Sequence, residues 1–190
     1  MFNINKAKFS MFNPGINKPS GQKPYMQGTL NDVFAVMNTP QIAQLTRELR
    51  AIKDEKQQKL FKAEKLPFVT FSGQFSYRNT KGLIAHSGLM CFDFDHLPND
   101  ADVQRVRKVL LGDPTFATEL MFTSPRGNGV KWITHIDLER GDHAKWYRAI
   151  RQYLLYKYGI EADPAPSSVC SACFLCWDAD LVINKDICVF

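Results

Sequence analysis

The chain has 190 residues, 45% of them hydrophobic and 23% charged, with fourteen Phe and three Trp, enough apolar bulk for a single domain over 1–190. No apolar run approaches the ~18 residues of a membrane-spanning helix, and the start of the chain, Met-Phe-Asn-Ile-Asn-Lys, lacks the apolar stretch of a secretory signal, so a cytoplasmic protein without a membrane partner is expected. The net charge of +5 suits a phosphate-bearing partner without defining one, and five cysteines, an odd count in mostly apolar contexts, fit reduced thiols better than a disulfide framework.

An early strand is expected near Phe2–Phe9, then a Pro- and Gly-punctuated loop. Helical patterning runs from Thr29 to Lys62, with Thr39-Pro40 reading as an N-cap followed by proline at the first helical position. Arg47, Arg50, Lys53, Lys56 and Lys59 form a basic row on that helix, read as a solvated face. Phe68–Phe75 alternates like a strand, and a polar stretch, Tyr77–Gly82, leads to a second strand over Leu89–Asp95. Pro98-Asn99-Asp100 opens a helix to Leu111, stopped by Gly112-Asp113-Pro114. Strands follow over Thr118–Thr123 and Val130–Asp137, separated by a tight polar loop, Ser124–Gly129. Gly141-Asp142 precedes a helix through Tyr158 that Gly159 closes, with His143 at its start expected in solvent. The tail holds a Pro-containing loop, an apolar strand, Cys-Phe-Leu-Cys-Trp, and Leu181-Val-Ile. Irregularly interleaved strands and helices predict an α+β fold with a mostly antiparallel sheet.

Two features carry chemistry. In Cys-Phe-Asp-Phe-Asp-His, alternation puts Asp93 and Asp95 on one strand face with Leu89 and Cys91, and Met90, Phe92 and Phe94 on the other. The two acids stand ~6.6–7 Å apart along the strand. Like charges so placed repel unless solvated or bridged by a cation, and a hard ion such as Mg²⁺ or Mn²⁺ suits them. The second feature is Ser124-Pro-Arg-Gly-Asn-Gly-Val-Lys. Gly127 and Gly129 let the backbone turn around Asn128 and expose N–H groups, Ser124 offers a hydroxyl, and Arg126 and Lys131 add the positive charge a triphosphate needs. Lys131, Ile133 and His135 share one face of the strand that follows. Cys170, Cys173 and Cys176 have two-residue spacings but no fourth ligand at a usual distance, and are read as buried thiols.

Taken in order, Gly88-Leu-Met-Cys-Phe-Asp-Phe-Asp-His-Leu, the Ser124–Lys131 loop, Tyr158-Gly-Ile and Ala172-Cys-Phe-Leu-Cys-Trp-Asp resemble the VirE N-terminal domain family of mobile elements and phages. That family is related to the archaeo-eukaryotic primase-polymerase superfamily. The resemblance spans about Phe68 to Asn184. It implies a primase-polymerase-like core with an RRM-like sheet flanked by helices, and a DNA primase or polymerase acting in mobile-element or phage replication. It further implies Mg²⁺ or Mn²⁺ on Asp93, Asp95 and a third acid, Asp163 with Asp178 in reserve. Nucleoside triphosphates would meet Ser124, Arg126, Gly127, Asn128, Gly129, Lys131 and His135. Single-stranded DNA would be the template, and any helicase is expected as a separate protein because no such region follows here. Lys131 stands where the superfamily usually has His, and Ser168 and Ser171 where the family often has Asp and Arg. Those departures leave a second reading, a nucleic-acid-binding module of the same fold that has lost the chemistry. Asp-x-Asp also opens haloacid-dehalogenase-type sites, but those continue with Thr and Gly, and here His96-Leu97-Pro98 follows.

Overall fold

The computed structural model describes residues 7–184. It is a mixed α+β fold of antiparallel strands and five α-helices among the described residues. The first sheet contains β1 (Phe9–Phe12), β2 (Met26–Gly28), β3 (Phe68–Thr70) and β9 (Cys173–Phe174), in the order β2-β1-β3-β9. The second contains β6 (Leu89–Phe94), β7 (Thr118–Thr123), β8 (Val130–His135) and β10 (Val182–Ile183), in the order β10-β7-β8-β6. A small hairpin pairs β4 (Gly73–Phe75) with β5 (Leu83–His86). The helices are α1 (Leu30–Met37), α2 (Pro40–Ala51), α3 (Glu55–Lys65), α4 (Asp100–Leu111) and α5 (His143–Tyr158).

Side-chain alternation builds three layers from these elements. On β6 and β8, Leu89, Cys91 and Ile133 face the first sheet and pack with Phe9, Met11, Val69 and Phe71. Met90, Phe92, Phe94, Val130 and Trp132 face the other way and pack on Val103, Val106 and Leu110 of α4 and Tyr147, Ile150 and Leu154 of α5. The expected faces of both strands are thus the observed ones. The run β6-α4-β7-β8-α5, with β8 between β6 and β7, is a split βαβ arrangement.

Several boundaries differ from the sequence reading. Residues 2–6 of the strand expected at Phe2–Phe9 lie outside the described residues, and among the described residues the first strand begins at Phe9. The long helical stretch breaks into α1, α2 and α3. Thr39 caps α2, its Oγ accepting from Ile42 N at 3.4 Å with Pro40 in the first turn, and Asp54 caps α3 by accepting from Gln57 N at 2.8 Å. Each cap satisfies an orphan amide at the start of a new helix. Phe68–Phe75 is two strands in two sheets, because the chain turns at Phe71-Ser72. β2 and β5 were not anticipated: both are short, and β5 has exposed or half-buried residues that lack alternation. The tail strand shrinks to Cys173–Phe174, and β8 ends at His135.

Candidate active site

The acids and the glycine loop meet at one end of the β6–β8 pair. Asp93 of β6 stands directly opposite Lys131 of β8, and on the face toward the first sheet their side chains form an ion pair, both largely buried. Asp95 follows two residues later. The chain then leaves the strand through His96, which adopts a left-handed conformation (φ 59°), and Leu97 N donates to Asn128 O at 2.9 Å. The residues after Asp95 are therefore fastened to the loop that follows β7.

Asp163 arrives from the other side. Gly159 ends α5 at φ 64°, a conformation that favours glycine, and Ile160 and Ala162 are buried against the helical layer. Arg151 Nε donates to Ala162 O at 2.8 Å and Tyr147 Oη to Asp163 O at 2.6 Å. Asp163 N then donates to Asp93 O at 2.8 Å, so the segment runs along the free edge of β6. This lateral bond brings the third acid in: oxygens of Asp93, Asp95 and Asp163 all lie within 4.8 Å of one another, a group that could hold a metal ion. An open cleft of about 560 Å³, lined by Asp95, His96, Glu161, Ala162, Asp163 and Pro164, adjoins it.

Asp178 is engaged elsewhere. It is buried, pairs with Arg107 Nη1 at 3.1 Å, and accepts from Thr123 N at 2.7 Å. It ties α4 and β7 to the tail.

The loop is held tightly. Ser124 N donates to Gly129 O and Gly127 N to Ser124 O, both at 2.8 Å, with Gly127 at φ 90°. A Cβ on Gly129 would lie 2.5 Å from Phe94 O, 2.8 Å from Asp95 Oδ1 and 3.1 Å from Ser124 Oγ. Only a glycine lets the loop come this close to the acids. Arg126 Nη2 reaches Asp95 Oδ2 at 4.0 Å. Five buried side-chain polar atoms among the described residues have no hydrogen-bond partner, and three of them, Asp93 Oδ1, Ser124 Oγ and Asn128 Oδ1, fall here. Buried polar atoms are ordinarily satisfied, so this concentration of orphans fits a site built for an ion and a polar ligand.

Two cations at the site come from helices that motif reading did not connect with it. Arg50 of α2 is in the row read as a solvated face, yet its Nε donates to Pro125 O at 3.2 Å and its Nη2 to Ser124 O at 3.4 Å. Lys62 of α3 has its ammonium 5.3 Å above the Phe174 ring. Burial, then Lys131 and Arg126, push its pKa down, against an opposing pull from Asp95. No local pattern marks either residue.

His135 is elsewhere. It pairs in register with Leu89, four residues along β8 from Lys131 and roughly 13 Å away at the strand's rise. It lines a separate cleft with His86, Asp137 and Glu139. His143, expected in solvent, is buried, and its Nδ1 lies 3.1 Å from His86 Nε2. The unanticipated β5 carries His86 to the start of α5. Burial lowers both pKa values to about 4, His86 adding to the effect on His143 and Asp142 opposing it.

Fold and site thus define a split-βαβ domain with three clustered acids and a facing basic loop. Residues 61–182, well over half of the chain, match the family model described as BT4734-like, N-terminal domain, and the chain belongs to that family. No curated protein and no solved structure matches it. No helix among the described residues is long and apolar enough to cross a membrane.

Proposed function

We propose that this protein is a metal-dependent nucleotidyltransferase of the DNA primase–polymerase type, acting on nucleoside triphosphates with a single-stranded DNA template in mobile-element or phage replication. The observation that carries the reading is the convergence of Asp93, Asp95 and Asp163 within 4.8 Å, beside the Ser124–Lys131 loop. The resemblance to the VirE N-terminal domain family and the primase-polymerase superfamily supplies the reaction type.

The donor set fits Mg²⁺ or Mn²⁺: three hard carboxylates, one with a buried oxygen lacking a partner. When bound, such an ion supplies Lewis acidity toward phosphate oxygens and toward an attacking 3′-hydroxyl. The protein's own groups do the rest. Asp93, Asp95 and Asp163 hold the ion. Ser124 Oγ donates to a phosphate oxygen, and Arg126 and Lys131 neutralise the triphosphate and orient it. Gly127 and Gly129 keep the loop backbone close enough for both.

Lys131 is also the observation behind the second reading. A lysine paired with Asp93 already balances one carboxylate, as in a domain that keeps the fold and binds nucleic acid without chemistry. Nucleotide incorporation on primed and unprimed single-stranded DNA with Mn²⁺ or Mg²⁺ separates the two. The polymerase reading expects activity in the wild type and at least a hundredfold loss in Asp93→Asn with folding retained. Metal-independent, salt-sensitive DNA binding without incorporation would establish the module instead.

A further inference from the structure

Helix α5 carries Lys145, Arg148, Arg151 and Lys157 and no acid in its 16 residues. Two of these cations are already bound, Arg151 to Ala162 O and Glu161, and Lys157 to Asp113. Lys145 and Arg148, with Arg140 just before the helix, are exposed and form no ion pair among the described residues. Lys145, Arg148, Gln152 and Tyr156 are spaced three or four residues apart, so they share one side of the helix over ~16 Å of its axis. Tyr156 is 91% exposed. Toward the start of α5 an open notch of about 190 Å³ is lined by Arg140, Gly141, Lys145, Trp146 and Ala149. Trp146 Nε1 donates to Asp137 O and Tyr153 Oη to Asp113 Oδ2, both at 2.7 Å. Phe116 stands edge-on to both rings, with centroids 6.3 and 5.3 Å away. The polar tips are spent on the protein, so what these half-buried rings leave exposed is fixed apolar surface.

Charge and rings together select the ligand. Between Arg140 and Arg148 the only acid is Asp142, and its Oδ1 caps the helix by accepting from Lys145 N at 2.7 Å. Asp137 and Glu139 line the His135 cleft instead, and Asp113 is buried beneath Tyr153, Tyr158 and Lys157. A surplus of positive charge beside braced and exposed aromatic rings suits a chain of phosphates and unpaired bases. A duplex offers the phosphates but keeps its bases from the rings. Gln152 and the cations interrupt the apolar area, which does not suit a bilayer. We infer that the outer side of α5 binds single-stranded DNA, with Arg140, Lys145 and Arg148 on phosphates and the Trp146 and Tyr156 rings on bases. Helix α5 packs on the face of β6 and β8 opposite to the one that carries Asp93 and Lys131. The surface is therefore apart from the acids and retains a strand whether or not chemistry follows. The inference rests on the single-stranded DNA partner of the proposed function and not on its reaction.

The experiment measures binding of labelled oligo(dT) by fluorescence anisotropy in EDTA over a range of salt, with the folding of each variant followed by circular dichroism. Lys145→Ala with Arg148→Ala should bind at least tenfold more weakly. The slope of log K against log salt should become shallower by about 1.4, at ~0.7 for each of two lost phosphate contacts on a single strand. Tyr156→Ala should bind about fivefold more weakly, or less tightly still, for one lost base stack, with the slope unchanged. Lys18→Ala with Lys81→Ala removes equal charge from exposed positions elsewhere and should bind as the wild type does. Wild-type affinity in either α5 variant, or a loss no larger than in the control, overturns the inference and leaves the reaction standing. So does a wild type that binds a blunt duplex as tightly as oligo(dT). A wild type that binds no oligo(dT), whether or not it binds anionic lipid vesicles, overturns the inference together with the single-stranded partner. The expected losses without nucleotide incorporation support the inference and overturn the polymerase chemistry alone.

Discussion

Lys131 stands directly across the β6–β8 ladder from Asp93 and forms an ion pair with it. In the protein without metal the lysine supplies the cation that the buried carboxylate requires. Lys131→Met should therefore lower stability by about 3 kcal/mol in metal-free buffer, since removing one partner strands a buried charge. Millimolar Mn²⁺ should return much of that loss by giving Asp93 another cation. Chemical denaturation with and without Mn²⁺ checks this, and a loss that Mn²⁺ does not reduce would disconnect Asp93 from metal binding.

Gly129→Ala places a methyl group against Phe94 O and Asp95 Oδ1. Backbone cannot move away as a flexible side chain can. A loss of about 1–3 kcal/mol is expected, the usual cost of forced overpacking. Mn²⁺ affinity, followed by electron paramagnetic resonance, should fall by more than tenfold as Asp95 is displaced. Unchanged affinity would mean that the loop does not set the position of the acid.

Arg50→Ala removes two donors from the loop carbonyls of Ser124 and Pro125. Arg50 is itself exposed, so the cost to global stability should be under about 1 kcal/mol. Hydrogen exchange should quicken at Ser124 and Gly127, whose amides close the loop, and the KM for nucleotide should rise about tenfold with little change in kcat. Protection equal to wild type would rule out the bracing role.

Asp163 and Asp178 should separate cleanly. Asp163→Asn is expected to weaken Mn²⁺ binding by tenfold or more while changing stability little. Asp178→Asn should cost about 3 kcal/mol, because it leaves Arg107 buried without its charge partner, and should spare Mn²⁺ affinity. The opposite pattern would exchange their roles.

His86 and His143 set an acid limit on the fold. Gly88 N donates to His86 Nδ1 at 3.0 Å, so neutral His86 carries its proton on Nε2 and donates it to His143 Nδ1. Their folded pKa values, about 4, lie below the ordinary 6.5, so between those values the unfolded chain binds more protons. Stability is then full above pH 6.5 and falls as pH drops toward 4, by up to about 1.4 kcal/mol per pH unit for each histidine. Unfolding curves at intervals from pH 7.5 to 4.5 should show this slope, and His86→Gln with His143→Phe should flatten it.

The features legible in the sequence depend on neighbours within a few residues. Alternation put Leu89 and Cys91 on one face and Met90, Phe92 and Phe94 on the other, with Ile133 opposed to Val130 and Trp132, as the two core layers show. Thr39-Pro40 and Gly159 marked helix ends because caps and left-handed positions are local chemistry. The spacing of the two loop glycines announced a tight turn near phosphate-suited side chains. Tertiary structure alone decided which distant groups meet. Local pattern left Asp163 and Asp178 both available; a backbone bond at the free edge of β6 brought in the first, and a buried arginine engaged the second. The same holds for Lys131 opposite Asp93, for Arg50 on the loop carbonyls, and for His86 against His143. Those pairings depend on strand register and helix axes, which are set by how the whole core packs, and that packing leaves no periodic trace at the residues it brings together.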